Sequence, residues 1–196
     1  MHNLFSTIRS CSSSISGVAI AENSTFPFVT VPTFEILGES VRQQSGAEAV
    51  VFTPKIELGE VTQWQEYAIA NEGWYEESKK LAISFSEGSL VQSDFASGSI
   101  LPYIYNTIVD EDGNSSPGSP VNPPFYPIWQ ISPPPFSPYL IKANIGGVPE
   151  FSSSLVAANI AGEGVMGPTF FSDLYGLTGL ASKAEDHEAF HNKFMV

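Results

Sequence analysis

The segment Pro123–Pro138, with the sequence PPFYPIWQISPPPFSP, decides how this chain folds. Nine of the 15 prolines lie between Pro117 and Pro138, and aromatic residues are placed among them. Proline fixes φ and lacks an amide donor, and it favours extended geometry in the residue before it. These properties of proline exclude a helix or a central strand in the segment Pro123–Pro138. We predict an extended, proline-rich strap packed on a folded body, because disordered linkers rarely hold so many aromatic residues.

The length and composition are those of one globular domain, or of one domain with an extension. The chain has 196 residues, of which 42% are hydrophobic and 12% aromatic, which is enough for a core. It has 21 acidic and eight basic residues, for a formal charge of −13. Such a charge disfavours binding to nucleic acid and to anionic lipid. No stretch reaches the roughly 20 apolar residues of a membrane span.

Residues 1–22 form a predicted amphipathic helix, and residues 23–196 form a predicted single domain. Cys11 is the only cysteine, which excludes an internal disulfide, and we interpret it as a small apolar residue on the buried side of that helix. The apolar positions of the helix recur at spacings of three and four, which is typical of one buried face; they are Leu4, Ile8, Cys11, Ile15 and Val18.

The remaining pattern predicts a mixed α/β (α+β) domain, in which the long N-terminal helix packs on a small, mainly antiparallel sheet. The predicted helices are one from a Thr33 cap to Gly46, then Leu58–Asn71, Trp74–Leu81 with a Glu76–Lys80 pair, Ser152–Ile160 and Ala181–Lys193. Ala47–Pro54 and Tyr139–Ala143 are predicted strands, Ile83–Val91 and Ser99–Val109 are predicted strands or extended pieces, and Asp110–Pro120 is a predicted exposed loop.

A zinc-hydrolase motif is present near the end of the sequence, as His187-Glu188-Ala189-Phe190-His191. On a helix, His187 and His191 share a face and bind one zinc ion, while Glu188 acts as a base. A third ligand should follow, yet the five remaining residues contain no Asp, Glu, His or Cys. We therefore expect no metal and no cofactor, and keep the hydrolase as an alternative.

Two sequons favour an extracellular environment. Asn23-Ser24-Thr25 and Asn114-Ser115-Ser116 both match the N-glycosylation pattern, and both lie in polar stretches. We predict Asn23 and Asn114 as glycosylation sites.

Large aromatic residues supply the candidate ligand-binding set. Such rings line ligand pockets, although they more often fill cores, and both interpretations remain open. We expect Trp129 to be buried against the sheet. The candidate ligand-binding residues are Trp64, Tyr67, Trp74, Tyr126 and Trp129.

Several pieces of the sequence resemble, in this order, the extracytoplasmic region of receptor-type adenylate/guanylate cyclases from marine algae of the diatom kind. The most specific of them contains the Trp-Gln-x-Ser-Pro-Pro-Pro element. The pieces are Phe26–Glu35 (FPFVTVPTFE), Arg42 with Ser45–Glu48, Trp64–Tyr67 with Asn71–Trp74, and Tyr126–Pro135 (YPIWQISPPP).

The resemblance implies a CHASE-type or PAS-like sensor domain that is not an enzyme by itself. Residues 1–22 are then juxtamembrane-like, and residues 23–196 are a sensor-like domain truncated before its last strand. The expected partners are an unknown small-molecule ligand, the membrane through flanking helices outside this sequence, and a second copy in a homodimer. The expected location is the extracellular or periplasm-like side of the plasma membrane, with the segment itself soluble. A structural surface protein or an inert fragment is the remaining alternative.

Overall fold

The computed structural model describes residues 2–109, 115–120, 123–147 and 194–195. It confirms a mixed α+β fold with four α-helices and two small sheets in the described residues. The helices are α1 (His2–Ala21), α2 (Phe34–Ser45), α3 (Val61–Asn71) and α4 (Trp74–Phe85). The strands are β1 (Ala49–Phe52), β2 (Asn106–Val109), β3 (Ser115–Gly118), β4 (Gln130–Ser132) and β5 (Phe194–Met195).

Helix α1 ends at Ala21, one residue short of the predicted end. Its main contact among the described residues is α2, and the sheet contributes Val50 of β1 to the same apolar cluster. Cys11 is buried in this cluster beside Phe34 and Val41, as predicted for a small apolar residue. Helix α1 thus reaches the sheet chiefly through α2.

None of the described helices combines the length and apolarity needed to cross a membrane.

Helix α2 ends as predicted but begins differently. Gly46 has a φ of 74°, the left-handed conformation that suits glycine, and its N–H donates to the Arg42 carbonyl. At the other end, Thr33 has a φ of 52° and its side chain does not cap the helix. The Thr33 hydroxyl instead donates to the Pro32 carbonyl, and the Thr33 N–H donates to the Glu77 carboxylate. The predicted Thr33 side-chain cap was therefore wrong.

Strand β1 is the centre of the larger described sheet, whose order is β4-β1-β5. Strand β4 pairs antiparallel with β1, with Val51 opposite Ile131, and β5 pairs parallel with it, with Ala49 opposite Phe194. The only strand from the proline-rich segment among the described residues is thus at an edge, where proline is tolerated. Strands β2 and β3 form a separate antiparallel pair.

Two of three predicted extended segments were partly wrong. Ile83–Phe85 completes α4 because Ala82 extends the buried face of that helix, and Gly88, with a φ of 84°, lies in the turn that follows. Ser99–Val109 was predicted as a strand or an extended piece, and its last four residues, Asn106–Val109, form strand β2. In place of a strand at Tyr139–Ala143, Pro138–Leu140 forms a 3-10 turn that Ser137 caps by accepting from the Tyr139 N–H.

Two further predictions differ from the structure. Part of the predicted loop Asp110–Pro120 is strand β3, which pairs closely with β2 because Gly118 has no side chain to meet Ile108. Glu76 forms its ion pair with Lys79 at 2.6 Å rather than with Lys80. The predicted helices Ser152–Ile160 and Ala181–Lys193 lie outside the described residues.

Candidate functional site

Trp129, immediately before β4, is the centre of an aromatic cluster in the main core. It is fully buried, as predicted. Trp64 of α3 and Trp74 of α4 pack edge-on against it, with ring centroids 5.6 Å and 5.9 Å from that of Trp129. The ring of Tyr67 lies 6.4 Å away. The structure therefore brings together four of the five predicted ligand-binding residues.

Tyr126, the fifth predicted ligand-binding residue, makes none of these ring contacts in the described part of the chain. Its N–H donates to the Asn144 side-chain oxygen at 2.7 Å. Its half-buried ring lies against Gly146, where an added Cβ would fall 2.9 Å from the ring. Burial raises the pKa of the Tyr126 hydroxyl. Tyr126 thus packs beside the cluster rather than within it.

The side chains of Trp129 and Gln130 bind the segment before α2. The Trp129 indole N–H donates to the Val29 carbonyl at 3.0 Å. The Gln130 amide accepts from the Val31 N–H at 2.7 Å and donates to the Val31 carbonyl at 2.9 Å. The Gln130 amide therefore satisfies both backbone groups of Val31 in the protein interior, as a neighbouring strand would. Sequence reasoning did not anticipate this role of Gln130.

A buried ionic cluster joins α2 to β4. The Glu35 side chain is 1% exposed, and one of its oxygens accepts from Arg42 Nη2 at 3.0 Å. Arg42 Nε donates to Ser132 Oγ at 3.2 Å, and Arg42 also pairs with Glu39. The second Glu35 oxygen, Oε2, is buried with no hydrogen-bond partner among the described residues.

Burial raises the pKa of Glu35 to about 7. The nearby Ser132 hydroxyl and the charge of Arg42 oppose this shift, whereas the neighbouring charge of Glu39 adds to it. Desolvation is the largest of these effects because the carboxylate loses its hydration when it is buried. The carboxyl group of Glu35 thus titrates near neutral pH.

Sequence reasoning did not single out Glu35, Arg42 and Ser132 as chemical groups. One available signal is the seven-residue spacing of Glu35 and Arg42, which puts both on the α2 face that buries Phe34 and Val41. Ser132 comes from a distant part of the chain, and its position beside them depends on the pairing of β4 with β1.

Lys142 is a second buried charged group that sequence reasoning missed. Its side chain is fully buried, and its Nζ lies 3.8 Å from Glu72 Oε2, too far for a hydrogen bond. Burial lowers the pKa of Lys142, and the Glu72 charge opposes that shift. The available signal is a lone lysine within the largely apolar sequence Tyr139–Ile145.

The remaining predicted sites lie mostly outside the described residues. His187, Glu188 and His191 are not described, and neither is Asn114. The side chain of Asn23 is exposed, and the φ of this residue is 52°. Glycosylation of Asn23 stays a prediction. The described residues contain no group of three His, Cys, Asp or Glu side chains able to hold a metal ion.

Comparisons with known proteins do not identify a relative. The chain matches no protein-family model, no curated protein and no solved structure.

Proposed function

We propose that this chain is the extracytoplasmic sensor module of a receptor-type nucleotide cyclase, with a PAS- or CHASE-like domain that binds a small molecule. The module is not catalytic by itself and uses no cofactor. It acts on the extracellular or periplasm-like side of the plasma membrane, as a homodimer, and it meets the membrane through helices that flank this sequence. The sequence pieces that resemble such receptors support this proposal, and so does the mixed α+β fold.

The connection between α1 and the aromatic cluster is the observation that carries the proposal. Helix α1 packs on α2, and α2 contacts β4 through Gly38 and through the hydrogen bond from Arg42 to Ser132. Strand β4 directly follows Trp129, the centre of the cluster. A ligand that prefers one arrangement of the cluster would therefore act on α1 through two packed elements.

The pieces that carry the resemblance also meet in space. Glu35, Arg42 and Ser132 belong to three different pieces and form one buried cluster. Trp64, Trp74 and Trp129 belong to two pieces and form the other. The pieces thus build the two parts of the molecule between which a signal would pass.

A distance measurement in the full chain tests the proposal. Spin labels at exposed positions of α1 and α3, Ser13→Cys and Glu66→Cys in a Cys11→Ala background, report the position of α1 relative to the core. Small metabolites are first screened by thermal shift, because a ligand at 100 times its Kd stabilises the native state by about 2.7 kcal/mol. We expect a stabilising metabolite to change the distance between the two labels.

A matched pair of labels supplies the control. Gln43→Cys on α2, with Glu66→Cys, reports whether α2 moves together with α1. A stabilising ligand that leaves both distance distributions unchanged would contradict the proposed signalling role. A screen in which no metabolite stabilises the protein would argue for a structural protein.

A further inference from the structure

Four buried groups in the core can donate a hydrogen bond and have no partner among the described residues. One is the Ser78 hydroxyl, which can also accept; the other three are the Lys142 amine and the indole N–H groups of Trp64 and Trp74. Buried polar groups are nearly always paired in folded proteins, and each exception calls for an explanation such as a bound ion or ligand. All three groups are donors when Lys142 is charged, so a molecule that satisfies them has to supply acceptors.

The residues that carry these three donors contact one part of the core. Trp64 and Trp74 both pack on Trp129. The Lys142 backbone N–H donates at 2.7 Å to the carbonyl of Ile128, the residue before Trp129. The Lys142 side chain reaches Glu72, two residues before Trp74. The donors therefore belong to one region, between the α3–α4 junction and the segment around Trp129.

Glu72 is the only acidic partner of Lys142 among the described residues, and it is loosely held. The carboxylate lies 3.8 Å from Lys142 Nζ without a hydrogen bond, and the Glu72 side chain is 42% exposed. A carboxylate that is half in solvent and has no hydrogen bond to the amine is easily exchanged. The position of the Glu72 carboxylate beside Lys142 suits the carboxylate group of another molecule. Such a molecule would reach this position from solvent along the side of Glu72.

The surrounding backbone also suits an anion. Helix α4 begins at Trp74 with no side-chain cap, and a helix N-terminus attracts negative charge. The acidic residues of its first turn are engaged elsewhere, Glu76 with Lys79 and Glu77 with the Thr33 N–H. Lys142 has a φ of 71°, a left-handed conformation that is costly for a residue with a side chain and is often found at functional sites.

We propose that Lys142 and Trp74 bind the carboxylate group of a small ligand, which replaces the Glu72 carboxylate beside the Lys142 amine. The body of the ligand extends toward solvent along the exposed side of Glu72. The assignment of this carboxylate as the sensed group rests on the proposed sensor function, whereas the binding itself does not.

The indole N–H signals of the full-length, 15N-labelled protein provide the test. The chain has three tryptophans, so three indole signals are assigned by single Trp→Phe changes. The protein is titrated with sodium acetate and, separately, with sodium chloride at the same ionic strength. We expect acetate to shift the Trp74 signal in a saturable way and chloride not to. The Trp129 signal is an internal control, because its indole already donates to Val29.

Two variants of the ion pair make the test specific. Glu72→Ala removes the internal competitor, so we expect roughly tenfold tighter acetate binding, a change of about 1.4 kcal/mol. Lys142→Met keeps the length of the side chain and removes the amine, so we expect the acetate response to disappear. An unchanged Trp129 signal shows that each variant is folded. The site is refuted if acetate causes no saturable shift in the wild type and in Glu72→Ala, or if Lys142→Met responds as the wild type does.

The same measurements separate this site from the sensor role. If acetate causes no saturable shift of the indole signals while another molecule changes the distance between the α1 and α3 labels, the carboxylate site is wrong and the sensor proposal stands. If acetate binds saturably but neither it nor any stabilising metabolite moves α1, the site stands and the sensor proposal is wrong.

Discussion

Gly38 of α2 lies so close to Ser132 of β4 that a Cβ atom added at Gly38 would fall 2.1 Å from the Ser132 Cβ. The absence of a side chain at Gly38 is therefore what allows α2 to approach the sheet edge. We expect Gly38→Ala to lower the free energy of unfolding by about 1–3 kcal/mol, the usual cost of overpacking. Urea denaturation of the purified protein measures this change.

The matched control is Gly17 in α1, which is exposed and has no atom within 4 Å of an added Cβ. Alanine has the higher helix propensity, so we expect Gly17→Ala to be neutral or stabilising by up to about 1 kcal/mol. Equal destabilisation by Gly38→Ala and Gly17→Ala would show that the approach of α2 to β4 is not as close as described.

Glu35 makes stability depend on pH. Its pKa rises from 4.5 to about 7 on folding, so the folded state holds a proton that the unfolded state has released between these values. The stability from this group is fully present below pH 4.5 and is lost as the pH rises toward 7. The loss amounts to about 3 kcal/mol. Denaturation curves at half-unit pH steps measure it.

Two variants on α2 check that Glu35 is the group responsible. Glu35→Gln keeps an acceptor for Arg42 but cannot ionise, so we expect the pH slope to flatten relative to the wild type. Glu39→Gln removes a charge that raises the pKa of Glu35, so we expect a smaller slope than in the wild type. A Glu35→Gln protein with the full wild-type slope would assign the effect to another residue.

Trp129 should be among the most sensitive positions in the core. We expect Trp129→Ala to destabilise the fold by about 3–5 kcal/mol, because it leaves a cavity between the rings of Trp64 and Trp74. Trp129→Phe keeps an aromatic ring but leaves the Val29 carbonyl without its donor, at a cost of about 1–3 kcal/mol. An alanine variant that loses less than about 1 kcal/mol would mean that Trp129 lies on a loose surface segment.

Gln130 should matter through hydrogen bonds rather than packing. Gln130→Leu has a similar size but leaves the buried N–H and carbonyl of Val31 unpaired, so we expect a loss of about 2–4 kcal/mol. The exposed Gln43 serves as the control, and Gln43→Leu should change stability by less than about 0.5 kcal/mol. Thermal denaturation measures the loss of stability in each variant. Similar losses in Gln130→Leu and Gln43→Leu would argue against the pairing of Gln130 with Val31.

Local patterns were enough for the four described helices, apart from the end of α4, and for the first strand. The spacing of apolar residues predicted α1 and α3, and Gly46 and Gly73 predicted where helices stop. The prolines around β4 predicted that this segment would not form a central strand, and β4 lies at an edge of the described sheet. These features depend on φ, on side-chain volume and on periods of 3.6 or two residues, all of which are properties of neighbouring residues.

Strand β3 and the 3-10 turn at Pro138–Leu140 escaped prediction because their geometry depends on distant partners. Strand β3, Ser-Ser-Pro-Gly, has no apolar pattern, and it is a strand because β2 supplies its backbone hydrogen bonds. The turn lies in a largely apolar run that is equally compatible with a strand. In the candidate site, the aromatic residues were predictable by type, whereas the partners of Lys142 and Glu35 were not.

The sequence by itself determined where the four described helices lie, apart from the end of α4, and which large aromatic residues are the candidates for the aromatic cluster. Only the tertiary structure decided that Ser132 meets Arg42 and that Lys142 is buried beside Glu72. The physical reason is that hydrophobicity and backbone preference act locally. Burial of a charge and the identity of its counter-ion instead arise from contacts between residues far apart in sequence: Arg42 and Ser132 are separated by 90 positions.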